Sequence, residues 1–301
     1  MKIYELVIVG AGPAGLTAGI YAARKKIDFI IITKDIGGQT LYSWDIENYI
    51  GYQFITGPEL VEKFKLHIRE FNVDIRENEY VMKVLKDTKN FRLITNKGEY
   101  LTKTVIIATG RKPKELGIDN ENKFKNRGIT YCATCDAPLF RDKVVAVIGG
   151  GNAGLDAVLQ LSRIAKKIYL IEIKKELTGD RFVIEKIKKI EKVEILTNSQ
   201  VIEVYGDNFI NGIKIKKEED IIDLRLDGIF VEIGSIPNSE IIDFVEKNEN
   251  REIIVDCKNN TSFPGIFAAG DVTNVFAKQI IVACGEGAKA AIAAFEYLKY
   301  I

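Results

Sequence analysis

The 301-residue chain is long enough for about two domains, each with a substantial core. Its 43 basic and 42 acidic residues leave a net charge of +1, which gives no support to a nucleic-acid or other polyanionic partner. No apolar run reaches the ~18 residues of a membrane span, and the chain enters a strand at Ile3 without a charged-then-apolar leader, so a cytosolic protein is expected.

Residues 4–9 are an apolar run, followed by Gly10-Ala11-Gly12-Pro13-Ala14-Gly15 and a small-residue helix over 16–24. Strand, glycine turn and helix form the context that a G-x-G-x-x-G motif requires. Gly10 permits the tight turn, Gly12 lets backbone approach a pyrophosphate, and Gly15 allows the helix to pack on the strand. The helix N-terminus then faces the negative charge. A strand over 29–33 ends where an acid usually accepts from an adenosine ribose. Thr33 stands there, with Asp35 two positions on. Next come Gly37-Gly38-Gln39-Thr40, Trp44, Glu47-Asn48-Tyr49 and Gly51, which read equally as a surface loop or as ligand contacts. A helix over 57–71 carries His67, the chain's one histidine, read as a surface residue. Short strands follow at 73–76, 80–86, 91–95 and 105–108, the last ending in Thr109-Gly110.

Cys132 and Cys135 then form a Cys-x-x-Cys with Asp136 directly behind. Taken alone, the pair is half of a zinc site, a structural thiol pair or a redox dithiol. Zinc would need a second cysteine pair or clustered histidines, and no metal is expected. Cys257 and Cys284 lie far apart in sequence and read as structural. A second buried strand, 144–148, leads into Gly149-Gly150-Gly151-Asn152-Ala153-Gly154 and a helix over 155–164. The strand at 168–171 ends at Glu172, placed to accept from a ribose 2′-hydroxyl and to repel a 2′-phosphate, which favours NADH over NADPH. Strands at 193–196, 201–205 and 229–233 complete this unit, closing with Gly234-Ser235-Ile236-Pro237-Asn238. A strand at 266–269 runs into Gly270-Asp271, either a simple turn or a ligand contact at a strand's carboxyl end. An alanine- and glycine-rich helix over 285–297 ends the chain.

Two G-x-G-x-x-G signatures on either side of a Cys-x-x-Cys resemble the low-molecular-weight thioredoxin reductase family of pyridine nucleotide-disulfide oxidoreductases. The likeness runs in one order through residues 10–15, Gly37-Gly38-Gln39, Glu47-Asn48-Tyr49, Ala108-Thr109-Gly110, Cys132-Ala133-Thr134-Cys135-Asp136, residues 149–154, Gly270-Asp271 and Lys278-Gln279. It implies an α/β fold of two Rossmann-like dinucleotide-binding domains, the second inserted into the first, with antiparallel β inserts. An FAD-binding domain would comprise residues 1–113 and 242–301, and a nicotinamide-binding domain with the dithiol residues 114–241. FAD phosphates would lie on Gly10, Gly12, Pro13, Ala14 and Gly15, and Asp271 would hold the ribityl chain beside Gly270. Gln39, Asn48 and Gln279 would surround the flavin ring, with Gly38, Thr109, Gly110, Lys278 and Ile280 also among the FAD-binding residues. The nicotinamide nucleotide would take Gly149, Gly151, Asn152, Ala153, Gly154, Glu172 and Gly234.

By the same resemblance the chain would be a homodimer whose domains alternate between two orientations, one bringing the dithiol to the flavin and the other the nicotinamide. Cys135 would face the flavin, Cys132 would be the interchange thiol, and Asp136 the acid–base group, unless it is merely a helix-capping acid after a turn. NADPH-dependent members carry a histidine and arginines after the second strand of the inserted domain. Here the chain reads Glu172-Ile173-Lys174-Lys175-Glu176-Leu177-Thr178, and lysine does not reproduce arginine's bidentate grip on a phosphate. Glu172, residues 136–140 and residues 278–287 are closer to the flavoprotein component of alkyl hydroperoxide reductases, a branch that prefers NADH. Members of that branch carry thioredoxin-like domains in an N-terminal extension, whereas this sequence opens on the first strand. A separate thioredoxin- or glutaredoxin-like protein is therefore the expected electron acceptor. Two alternatives remain: ferredoxin or a deazaflavin as donor, and an FAD-binding redox sensor with little turnover.

Overall fold

The structure, a computed structural model, describes residues 2–43 and 46–301. Trp44 lies outside the described residues. The chain divides into two compact units, Met1–Lys112 with Ile236–Ile301, and Pro113–Ser235.

The first unit is built on a seven-stranded sheet. Ile3–Ala11 lies at its centre, parallel to Phe29–Ile36 on one side and to Glu99–Ile107 on the other. Glu99–Ile107 is long enough to serve two further partners. Its first half pairs antiparallel with Asn90–Thr95, and its last residues pair parallel with Ile266–Ala268. Successive strand residues point to opposite faces, so Leu6 and Ile8 enter one core with Ala14, Leu16, Ala18 and Ala290, while Val7 and Val9 enter another with Ile30, Ile32, Val105 and Ile107. Leu6, Val7 and Ile8 are fully buried, each worth about 1.5–3 kcal/mol relative to exposure. The first face is covered by helices Pro13–Arg24, Gly57–Arg69 and Ile280–Leu298. Gly57–Arg69 starts where Thr56 and Glu59 cap each other, Thr56 N–H donating to Glu59 Oε2 at 3.0 Å. His67 is exposed on that helix, 5.9 Å from the Phe71 ring.

The second unit has a five-stranded all-parallel sheet, ordered Val193–Leu196, Lys167–Ile171, Val144–Ile148, Gly228–Val231, Ile129–Thr130. A three-stranded antiparallel sheet, Ser199–Gly206, Ile210–Lys217 and Asp220–Arg225, packs Val204, Ile213 and Ile215 into the same core as Ile148, Ile229 and Val231. These are the two dinucleotide-type sheets and antiparallel inserts expected from the sequence. The division points differ from the expected residues 113/114 and 241/242, the second by six positions. Asn238 is already tied to the first unit, its Nδ2 donating to Thr109 O at 2.9 Å while Thr109 Oγ1 donates to Asn238 O at 2.7 Å. Ile241, Ile242 and Val245 sit in the first unit's core.

Candidate functional site

Each unit carries its candidate site at the carboxyl edge of its parallel strands, where open α/β sheets bind ligands. In the first unit the glycine spacing is enforced by contact. A Cβ on Gly15 would lie 1.9 Å from Gly10 O, and Gly10 itself has φ +103° against Ala108 O. A Cβ on Gly12, by contrast, would meet nothing within 4 Å, and one on Gly38 would lie 3.5 Å from Gly12 Cα. Gly12 is the N-cap of Pro13–Arg24 and no side chain caps that helix. Gly12, Gly38 (φ +55°), Ala14 and Gly270 (φ +75°) thus leave a cradle of bare backbone at an uncapped helix start, which fits a pyrophosphate. Thr33 occupies the ribose-acid position as a neutral group, its Oγ1 accepting from Ala11 N–H at 3.1 Å and donating to Asp35 O at 2.5 Å.

Further along the same edge, Asn48 Nδ2 donates to Gln279 Oε1 at 3.1 Å, joining two of the amides expected at a flavin ring. Gln39 is exposed in the short helix Gly38–Tyr42, and Thr109 and Gly110 follow the Glu99–Ile107 strand. Lys278 and Ile280 flank Gln279 at the start of Ile280–Leu298. Cys284 on that helix lies 3.8 Å from the Tyr49 hydroxyl, and burial pushes its thiol up; Cys257 is exposed. A charged cluster that the sequence does not single out stands beside Lys278. Glu252 Oε1 accepts from Arg111 Nη1 at 2.9 Å and lies 3.0 Å from Lys278 Nζ, while Asn248 Nδ2 donates to its other oxygen at 2.7 Å.

Asp271 sits in the single turn Gly270–Val272, directly after the Ile266–Ala268 strand. Burial pushes its carboxyl above the ordinary carboxylate range, although Lys278 and Arg111 pull it down. A raised value in the folded state means that the folded chain holds the proton more tightly. The ionised group therefore costs stability above that value, and the cost fades as pH falls toward the unfolded value of 3.8. Asp271→Asn should raise the melting temperature of the flavin-free protein at pH 7 and lose that advantage at acid pH. Equal melting curves at pH 7 would refute this. A carboxylate kept at such a cost fits a group that hydrogen-bonds a polyol chain.

The second unit repeats the cradle. A Cβ on Gly154 would lie 1.8 Å from Gly149 O, Gly149 has φ +117°, and Gly151 is the uncapped N-cap of Asn152–Leu161. Asn152 and Ala153 are exposed at the helix start, and Asn152 Oδ1 accepts from Asp180 N–H at 2.7 Å. Glu172 is buried beneath the loop. Gly150 N–H donates to its Oε2 at 2.6 Å and Lys174 N–H to its Oε1 at 2.9 Å, so the carboxylate is fixed as an acceptor facing the loop. Lys174 and Lys175 are exposed. Gly234 (φ +95°) stands just beyond the Gly228–Val231 strand.

Cys132 and Cys135 are joined as a disulfide with Cα atoms 5.3 Å apart. Cys132 is the N-cap of the one-turn helix Ala133–Asp136, and both cysteines are partly exposed. Asp136 ends that turn and is buried. It accepts from the Thr130 hydroxyl, and Thr130 Oγ1 in turn accepts from Cys132 N–H at 3.2 Å. Asp136 stands at the N-cap position of the short helix Ala137–Phe140, and its carboxyl is linked to the cysteine turn through Thr130. On the other side of the turn, Ala133 N–H donates to Glu232 Oε1 at 3.1 Å. Among the described residues no cluster of three or more metal-ligating side chains occurs, and no helix is long and apolar enough to cross a membrane.

Two glycine-cradled dinucleotide sites and a cysteine pair define a nucleotide-dependent disulfide oxidoreductase. The family model for pyridine nucleotide-disulphide oxidoreductases matches residues 4–287, and the chain belongs to that family of enzymes. The family implies FAD and NAD(P)H as cofactors. A component protein of the alkyl hydroperoxide reductase of Escherichia coli is 40% identical over 303 residues, covering 98% of this chain and 58% of that protein. A protein named NADH dehydrogenase from Ferdinandcohnia aciditolerans is 38% identical over 298 residues, covering 98% and 57%. The chain thus spans less than two thirds of the length of these curated relatives. The crystal structure of thioredoxin reductase from Streptococcus pyogenes superposes with a TM-score of 0.92 at 34% identity, covering 99% of both chains.

Proposed function

We propose that this protein reduces the disulfide of a thioredoxin- or glutaredoxin-like protein, drawing electrons from NADH through FAD and the Cys132–Cys135 pair. The observation that carries this reading is the partly exposed disulfide set against the buried Asp136. Bound FAD would supply the exchange between hydride and electron-pair chemistry. The chain's own residues do the rest. The first-unit cradle and Asp271 would hold the flavin nucleotide, with Asn48 and Gln279 positioned as a bonded pair. Once the disulfide is opened, Cys132 as thiolate would attack the acceptor's disulfide to form a mixed disulfide, and Cys135 would resolve it. Asp136, fixed by Thr130, would give and take the proton.

Glu172 supports NADH as the donor. A carboxylate fixed by two backbone amides can still accept from a ribose hydroxyl, whereas a 2′-phosphate there would meet its charge. Anaerobic mixing with NADH, NADPH and reduced ferredoxin in turn, read by bleaching of the flavin band, tests the assignment. NADH should bleach it within seconds, and a flavin that stays oxidised would overturn the reading. Glu172→Gln should then narrow the NADH-over-NADPH preference roughly tenfold, the scale of one charged hydrogen bond. An unchanged ratio would remove Glu172 from the site.

A further inference from the structure

Glu232 follows the last residue of the Gly228–Val231 strand and belongs to both halves of the second unit's site. Its backbone oxygen lies against the glycine loop, where a Cβ on Gly149 would meet it at 2.5 Å. Its side chain reaches the dithiol turn, with Oε1 accepting from the amide of Ala133, the residue that follows Cys132. Covalent geometry then places the Glu232 carboxylate within about 7.5 Å of the Cys132 sulfur. The charged group acting on this carboxylate is Asp156 from Asn152–Leu161, and the dithiol turn that its Oε1 contacts carries the two cysteines. Burial drives the Glu232 carboxyl up to about 7 against the lowering effect of the Ala133 amide, and Asp156 adds to the rise.

We propose that Glu232 is a positioning residue for the Cys132–Cys135 pair, whose charge opposes the thiolate formed on reduction and so draws a proton onto its own carboxylate. The proposal rests on the reading of this pair as redox-active. Reduction breaks the S–S bond with two electrons, delivered by reduced flavin or by a small dithiol. One sulfur takes a proton from solvent and becomes a thiol, and the other is left as thiolate. A second solvent proton goes to Glu232, so the turn keeps the net charge it had with the disulfide closed and Glu232 ionised. Protonated Glu232 still accepts the Ala133 N–H through its carbonyl oxygen, so the turn is held in both states. In this way the reduced state can carry a nucleophilic thiolate without placing two negative charges on one partly buried turn.

The test is the pH profile of iodoacetamide alkylation at Cys132 in the flavin-loaded protein, reduced with dithiothreitol and mapped by peptide mass, with exposed Cys257 as the internal reference. Wild type and Glu232→Gln should coincide where Glu232 is protonated. Above neutrality the glutamine variant, which keeps the acceptor but not the charge, should react roughly tenfold faster until both thiols are fully ionised. Glu232→Asp should follow wild type, and Cys257 should follow one curve in all three. Superimposed Cys132 profiles for wild type and Glu232→Gln would overturn the proposal. If Glu232→Gln fails to fold, wild type alone decides: a departure from a single-ionisation curve supports it and a single-ionisation curve overturns it. Neither the donor nor the acceptor protein enters the measurement, so an error in those assignments leaves its outcome unchanged. A pair that dithiothreitol does not open would overturn both readings.

Discussion

Replacing Cys135 with serine should leave bleaching of the bound flavin by nicotinamide intact while partner-disulfide reduction falls at least about 1000-fold, the scale on which loss of one member of a set of residues that act as a unit tells. The reason is that a lone Cys132 cannot form the intramolecular disulfide that receives the electron pair and cannot resolve a mixed disulfide. A stable mixed disulfide with the acceptor should accumulate instead, readable as a mass shift. Stopped-flow flavin absorbance and a coupled insulin-precipitation assay separate the two half-reactions. Retained turnover in the variant would return the pair to a structural role.

Gly15→Ala and Gly154→Ala should separate the two nucleotide sites in opposite senses. In each, the new methyl lands within 2 Å of a backbone oxygen, at 1.9 Å from Gly10 O and 1.8 Å from Gly149 O. A backbone atom cannot turn aside as a side-chain tip can, so helix and strand must part, at a cost of about 1–3 kcal/mol or more. Gly15→Ala should yield protein that purifies with little flavin. Gly154→Ala should purify yellow, because the first unit's cradle is untouched, yet bleach at least tenfold more slowly with nicotinamide, since about 1.4 kcal/mol lost at that site is a factor of ten. Flavin content by absorbance and the dependence of bleaching rate on nucleotide concentration are the two readouts. A Gly154→Ala protein with an unchanged nicotinamide response would detach the second glycine loop from donor binding.

The parts of this architecture legible in the sequence are those with a steric reason to sit close together along the chain. The glycines at 10 and 15 and at 149 and 154 are fixed by a positive φ or by a backbone oxygen that leaves no room for a Cβ, while those at 12 and 151 leave the helix start bare. Strand Val144–Ile148 is readable to the residue because all its positions are apolar. The final helix is expected from 285 but starts at Ile280, since Ile280-Ile281-Val282 is β-branched and imitates a strand until the packing of the first unit decides. The strands Ile210–Lys217 and Asp220–Arg225 are hard to read because Lys216, Asp220, Asp223 and Arg225 stand exposed among their apolar residues and Ile221 faces outward, which blurs the alternation. Arg181–Ile187 is missed as well, although Asp180 caps it by accepting from Phe182 and Val183 amides. Glu232 is least visible. A single acid at the end of an apolar strand gives no periodic signal, and its partner, Ala133, is 99 positions away. The Arg111–Glu252–Lys278 cluster is hidden for the same reason, with 141 positions between its first two members.

The insertion of one unit within the other bears on how the chain is made. The second unit is a single continuous segment, Pro113–Ser235, and all of its strand partners are present once that segment has been synthesised. The first unit lacks Ile266–Ala268 and the helix Ile280–Leu298 until the end, yet Gly287 packs against the backbone of Ala14, where a Cβ would meet Ala14 O at 2.0 Å. During translation the inserted unit can therefore close first. The opening strands wait, with the part of their apolar face that Pro13–Arg24 and Gly57–Arg69 do not cover still open, for a helix more than two hundred residues behind them, which leaves this early sheet exposed to association until translation ends.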